Sequence, residues 1–311
     1  MFTKVDFFAH ILTPKYTERY LEINPKIAER IEYRTLAVTD LSVRERFMKR
    51  YPDLLQVITM ANIPLEKWAP DHTVELARIG NDELAEHVRR RPDLFFQAAA
   101  VLPLNNIEAA LEEIDYAINK LDLAGIQVYT RIGDEWLASK KFRPILAKMA
   151  ELNKPIWIHP DSNDKIDFDY GLFSWPFETT HCMLRLVESG IFIEFPDIKF
   201  IVHHAGAMVP FFQERIKYVM AGSKQPAPDI HEHFKKFYVD TAINGNTNGL
   251  MCAYNYYGAD HMLFGTDAPL GARKGGLVEG TIRSIERMDI PQEDKEKILR
   301  LNAERILKHV V

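Results

Sequence analysis

Cysteine is nearly absent from this chain: there are two in 311 residues, Cys182 and Cys252, far apart and without paired spacing. That excludes a disulfide framework and a thiolate metal site, and leaves both as packing residues. Long apolar runs are missing as well. No stretch approaches the roughly 20 residues of a membrane span, so no membrane partner is expected. There is no extended block of Lys and Arg, and 39 basic against 44 acidic residues leave a formal net charge of −5. Nucleic acid is therefore a poor partner and a small molecule a better one. No basic segment followed by a long apolar one precedes Val5, so no secretory signal is read and a cytoplasmic location is expected. Also lacking is a glycine-rich turn after the first strand-like run, where a doubly wound open sheet would carry its dinucleotide fingerprint.

What is present is regular alternation. With 47% hydrophobic and 27% charged residues the composition is that of a soluble globular protein. Runs rich in β-branched and aromatic residues, at Val5 to Phe8, Leu55 to Met60, Phe95 to Val101, Gly125 to Tyr129, Ile156 to His159, Lys199 to His203, Phe237 to Asp240 and Met262 to Gly265, read as eight buried parallel strands. Helical patterns separate them. Ile107, Ala110, Leu111, Ile114 and Ile118, for example, share one helix face. Ser42 with Glu45 is read as a capping box in a long insertion after strand 1, and helices over 280–287 and 293–301 close the chain. The pattern predicts a (β/α)₈ TIM barrel, one domain over residues 1–311.

Four strand-like runs end in metal-capable side chains: His10, His159, the pair His203 and His204, and Asp267. In a closed barrel the carboxyl ends of all strands open on one face, so these ends converge there. His10, His159 and Asp267 supply N, N and O donors suited to zinc and its relatives. Adjacent strand residues point to opposite faces, and His204, which begins the turn His204-Ala205-Gly206, is assigned to the site while His203 is read as packing outward or hydrogen-bonding. A long segment from Asp161 to Pro176 is read as pocket rim. The residues Glu178-Thr179-Thr180 read as a helix start with a threonine cap. Arg131, just after strand 4, reads either as a bidentate holder of a substrate carboxylate or as a solvated loop residue. Asp240 reads as the orienter of a catalytic group or as a local cap. Trp175 and Phe177 read as walls for an aromatic substrate or as loop anchors.

Taken in order, Val5-Asp6-Phe7-Phe8-Ala9-His10, Ile158-His159-Pro160, Pro176-Phe177-Glu178-Thr179-Thr180, Phe195-Pro196-Asp197-Ile198-Lys199, His204-Ala205-Gly206-Ala207 with Pro210, Leu263-Phe264-Gly265-Thr266-Asp267 and Asn302-Ala303 carry a resemblance over nearly the whole chain. The chain resembles the amidohydrolase-related decarboxylases, which include aminocarboxymuconate semialdehyde, 6-methylsalicylate-type and γ-resorcylate-type decarboxylases. The resemblance implies a barrel holding one divalent metal, usually Zn²⁺ and in some members Mn²⁺, on His10, His159 and Asp267. His204 is then an acid or base beside the metal-bound water. It also implies a homodimer or higher homo-oligomer. One departure is plain: the family's first strand usually reads Asp-x-His-x-His, and Phe8 stands here at the first histidine.

The expected function is metal-dependent, non-oxidative decarboxylation of a small aromatic or unsaturated carboxylic acid. Asp267 is the expected proton donor and His204 its relay. Two alternatives stand beside it. One is hydrolysis of a lactone or amide by metal-bound hydroxide; the other is a catalytically silent binding barrel that lacks metal because of Phe8.

Overall fold

The computed structural model describes residues 3–61, 63–161, 172–221, 226–270 and 276–307. Eight strands follow one another in chain order around a single sheet: β1 (Lys4–Ile11), β2 (Leu54–Met60), β3 (Phe95–Val101), β4 (Gly125–Tyr129), β5 (Ile156–His159), β6 (Phe200–Val202), β7 (Tyr238–Asp240) and β8 (Met262–Leu263). Every neighbouring pair is parallel. Helices between them supply the crossovers that parallel strands require. The ring is closed by backbone bonds between β1 and the chain after β8: Phe7 N–H donates to Phe264 O at 2.7 Å, Asp267 N–H to Phe8 O at 2.9 Å and His10 N–H to Ala268 O at 2.7 Å. The (β/α)₈ barrel is thus the architecture of the chain.

Its interior floor is a packed plug. Val5, Phe7, Val57, Ala99, Trp157, Ile201 and Leu263 form one buried cluster with Ala303, Ile306 and Leu307 of the last helix, Asn302–Leu307. Trp157 stacks on Phe7 with ring centroids 5.0 Å apart and donates its indole N–H to Phe7 O at 3.0 Å. Burying a ring of that size, about 200 Å², contributes about 5 kcal/mol before entropy is counted. Asn302 ties the last helix to the β8 end by donating to Ala259 O and Met262 O at 2.7 and 2.8 Å. A second, larger core lies between the strands' outer faces and the helices.

The pairing of β1 with β2 shifts register between Asp6 and Ala9. An irregularity of this kind lets successive side chains share a face. Phe7 packs into the floor while Phe8, the next residue, also turns inward and meets the histidines above it. Asp6 is wholly buried there. Its carboxylate accepts from Thr266 Oγ1 at 2.6 Å, Thr266 N–H at 3.0 Å and Gln56 Nε2 at 3.1 Å, a staple between β1, β2 and the end of β8. Gln56 in turn accepts from buried Arg44, which also donates to His10 O.

Several local expectations are corrected. Asp40, not Ser42, caps the helix Leu41–Met48: its carboxylate accepts from Ser42 N–H at 2.8 Å and Val43 N–H at 3.3 Å, so Ser42 is already inside the first turn. The helix Ser174–Glu188 begins before Trp175, with Pro176 in its first turn, where a missing N–H costs no bond. The Thr180 hydroxyl donates back to Pro176 O at 2.7 Å within that helix and caps nothing. Of the expected rim segment, 162–171 lies outside the described residues. Among the described residues no helix is long and apolar enough to cross a membrane.

Candidate active site

The strand ends meet as the alternation requires, with one exchange of roles. Ile201 faces the interior floor, so two residues on His203 faces inward too. His203 is completely buried, and its Nδ1–H donates to Asp240 Oδ2 at 2.6 Å while its Nε2 has no partner. The expected outward placement of His203 is therefore overturned: parity counted from Ile201, not from the turn, decides it. His204 stands half-buried at the mouth. It adopts φ +60, and Ala205 and Ala207 follow at +56 and +55, a left-handed run that costs about 1 kcal/mol per non-glycine residue. Asp240 Oδ1 holds this turn by accepting from His204 N–H and Ala242 N–H, each at 2.9 Å. Asp240 thus serves as both orienter and cap.

His10 is buried, with Nδ1 3.0 Å from the Thr59 hydroxyl and Nε2 3.1 Å from Asp267 Oδ1, the latter without hydrogen-bond alignment. Asp267 itself sits at φ +61, at the sharp turn that ends the barrel wall. His159 donates from Nδ1 to Pro160 O at 2.8 Å, which turns Nε2 into the lone-pair nitrogen. Burial, reinforced by neighbouring imidazoles, holds His159 and His203 well below the usual histidine range, so both are neutral at physiological pH. Burial also pushes Asp240 up to about 6.

Phe8 lies at the centre of this group. Its ring stacks on His203 with centroids 3.5 Å apart and planes at 18°, and its centroid lies 4.5 Å from that of His10 and 5.8 Å from that of His159. Gly265 makes room for it: a Cβ there would stand 2.8 Å from Asp240 Cβ and 3.1 Å from Phe8 Cβ.

The substrate-facing residues divide differently from expectation. Arg131 is committed to Glu178: the guanidinium Nε lies 2.6 Å from Oε1, both side chains are at most 9% exposed, and Nη1 donates to Gly133 O. Trp175 is at the mouth, parallel to His204 at 6.2 Å and edge-on to His159 at 6.0 Å. Phe177 is on the outer side, where with Phe173, Met208, Phe211 and Phe212 it lines a separate shallow cleft. The mouth opens into a cavity of about 1040 Å³ whose walls come from the insertion after β1 and carry Arg34, Arg46, Arg50, Leu36 and Phe47, with Trp175 and Asp267 also lining it. Sequence reasoning missed these arginines. Their helices are short, and only the fold carries them over the mouth.

The donor set can be tested against a divalent cation. Three imidazoles with oriented nitrogens and a carboxylate are suitable chemistry, and partners of the Thr59, Pro160 and Asp240 kind typically hold metal-binding histidines. Their placement does not match. Donors 2.0–2.2 Å from one ion stand about 3 Å from each other; His10 and Asp267 meet that spacing. No third donor joins them: among the described residues no group of three or more His, Cys, Asp or Glu side chains is gathered to hold a metal ion.

Residues 28–308 match the amidohydrolase profile, and the chain belongs to that family. It is 30% identical over 301 residues to the γ-resorcylate decarboxylase of Rhizobium sp. (strain MTP-10005), covering 89% of each chain. The crystal structure of a 2,6-dihydroxybenzoate decarboxylase in complex with 2,6-dihydroxybenzoate superposes with a TM-score of 0.79 at 26% identity, covering 99% of this chain and 100% of the other. The dihydroxybenzoic acid decarboxylase of Polaromonas sp. JS666, with bound manganese and the inhibitor 2-nitroresorcinol, superposes with a TM-score of 0.79 at 24% identity over 99% and 97% of the two chains.

Proposed function

We propose that this chain is a carboxy-lyase that removes CO₂ without oxidation from a small aromatic or unsaturated carboxylic acid. The observation that carries the reading is the shape and charge of the mouth: an arginine-walled cavity with the Asp267 carboxyl and the Trp175 ring among its lining. The three arginines outnumber the one lining carboxyl, and a cleft of net positive charge draws anionic ligands inward, so Arg34, Arg46 and Arg50 attract a carboxylate. Trp175 offers a flat face to an aromatic ring. In the reaction the bond between the ring carbon and the carboxylate breaks, CO₂ leaves, and the electron pair takes a proton from the Asp267 carboxyl; water then returns a proton to Asp267. His10 Nε2 packs against that carboxyl at 3.1 Å, and His204 at the rim relays the returning proton. The activity of the similar decarboxylases supports the same reaction class.

The test is CO₂ release from a panel of hydroxybenzoates and unsaturated acids in D₂O, with and without added Mn²⁺ or Zn²⁺. Turnover with deuterium at the carbon that lost CO₂ is expected, and Asp267→Asn should lower kcat by about 10²–10⁴ while leaving the fold intact. An intact protein that turns over none of the acids under either condition contradicts the reading.

A further inference from the structure

The most unusual residue at the mouth is Phe8, and its surroundings say what it does. A cation leaves water only when several donors replace its hydration shell together, because an unpaired charge in a low-dielectric site is costly. Here the position shared by His10, His159 and His203 is filled by a phenyl ring, which offers no lone pair. Phe8 is 1% exposed, and its Cβ lies close against the Gly265 backbone. The flanking groups have other commitments. His203 Nδ1 is bound to Asp240, and its ring face is covered by Phe8. Asp267 lies against His10. The three imidazoles are spread around a hydrocarbon hub and are not drawn to one point.

We propose that this chain keeps no resident divalent cation at the barrel mouth, because Phe8 occupies the place from which a first-strand donor would complete the site. His10, His159 and His203 then act as hydrogen-bonding imidazoles oriented by Thr59, Pro160 and Asp240. Of these, His10 Nε2 and His203 Nε2 are buried without a hydrogen-bond partner among the described residues, and with His159 Nε2 they are the ring nitrogens that a bound molecule would meet. The proposal concerns the site of the reading above and depends on that reading only in its activity arm.

The experiment is metal binding by the full chain. Purified wild type, Phe8→Glu, Phe8→His and His159→Ala are incubated with Mn²⁺ or Zn²⁺ and desalted. Bound metal is counted by mass spectrometry, and affinity is read by competition with a chromophoric chelator. Circular dichroism shows which variants fold. The wild type is expected to retain less than about 0.1 equivalent, and either glutamate or histidine at position 8 to bind at least about 100-fold more tightly, since losing even an outer partner of a metal site costs 10–100-fold. Near-stoichiometric metal in the wild type that His159→Ala loses overturns the proposal. So do folded Phe8 variants that gain no metal, because Phe8 is then not what excludes it. If neither variant folds, the wild-type content decides alone. Near-stoichiometric metal that His159→Ala retains is assigned with His10→Ala: lost there, it overturns the proposal, and retained there, it lies elsewhere on the chain and agrees with it.

In the activity arm, CO₂ release insensitive to chelator is expected, and release abolished by chelator and restored by Mn²⁺ overturns the proposal. Absence of turnover refutes the decarboxylase reading while the metal count still decides this one.

Discussion

Replacing Arg131 by Met separates a structural arginine from one that holds substrate. In the structure its guanidinium lies 2.6 Å from Glu178 with both side chains at most 9% exposed, so the substitution leaves a carboxylate buried without its counter-charge. Breaking such a pair from one side costs about 3–5 kcal/mol. With an unfolding entropy of about 2.1 cal/mol/K per residue, roughly 0.65 kcal/mol/K for the chain, that loss lowers Tm by about 5 to 8 °C. The cost also carries a pH signature. Burial already pushes the Glu178 carboxyl up, against the opposing pull of Arg131; without the arginine it rises further. A carboxyl raised in the folded state contributes stability that is present below its unfolded pKa and lost as pH rises through the folded value. The deficit of Arg131→Met should therefore be largest near pH 7.5 and shrink toward pH 5. Thermal and urea unfolding at both pH values of Arg131→Met, Glu178→Met and the double variant Arg131→Met/Glu178→Met complete the cycle, and the double variant should recover to within about 1 kcal/mol of wild type. An Arg131→Met protein as stable as wild type but with a raised KM would refute this reasoning and return Arg131 to substrate binding.

Other perturbations test the barrel staple and the entrance. Burial pushes Asp6 up to about 6 from the ordinary 3.8, so its contribution is present below pH 3.8 and lost as pH rises through 6. Between pH 4 and pH 7 the unfolding free energy of Asp6→Asn relative to wild type should rise by about 2 kcal/mol, whatever the constant cost of the amide, and a pH-independent difference would count against it. Charge reversal by Arg50→Glu should lower kcat/KM for a carboxylate substrate by about tenfold at low salt and less at high salt; a salt-independent loss would show that Arg50 acts by contact and not by field.

Much of the fold was legible because barrels advertise themselves locally. Eight short apolar runs divided by helical patterns need only neighbouring residues to be recognised, and each was found where β1 to β8 lie. The mouth was legible for a related reason, since His10, His159 and Asp267 follow apolar runs and strand ends converge. Parity was harder. Assigning His204 inward and His203 outward counted from the turn, whereas alternation from Ile201 carries His203 into the barrel and the left-handed backbone at His204 then brings its neighbour to the rim. Arg131 looked available because Glu178, its partner, stands 47 residues away on a helix whose start was placed too late.

The linear chain by itself determined the strand and helix periods, the polar residues at the strand ends and the presence of a phenylalanine at position 8, because each depends on residues a few places apart. Only the tertiary structure decided what those residues do. The register shift in β1, the Asp6–Thr266 staple 260 residues apart, the pairing of His203 with Asp240 and the cover of arginines over Asp267 all depend on contacts that exist once the barrel closes. The same closure turns Phe8 from a missing ligand into the hub around which three imidazoles are arranged.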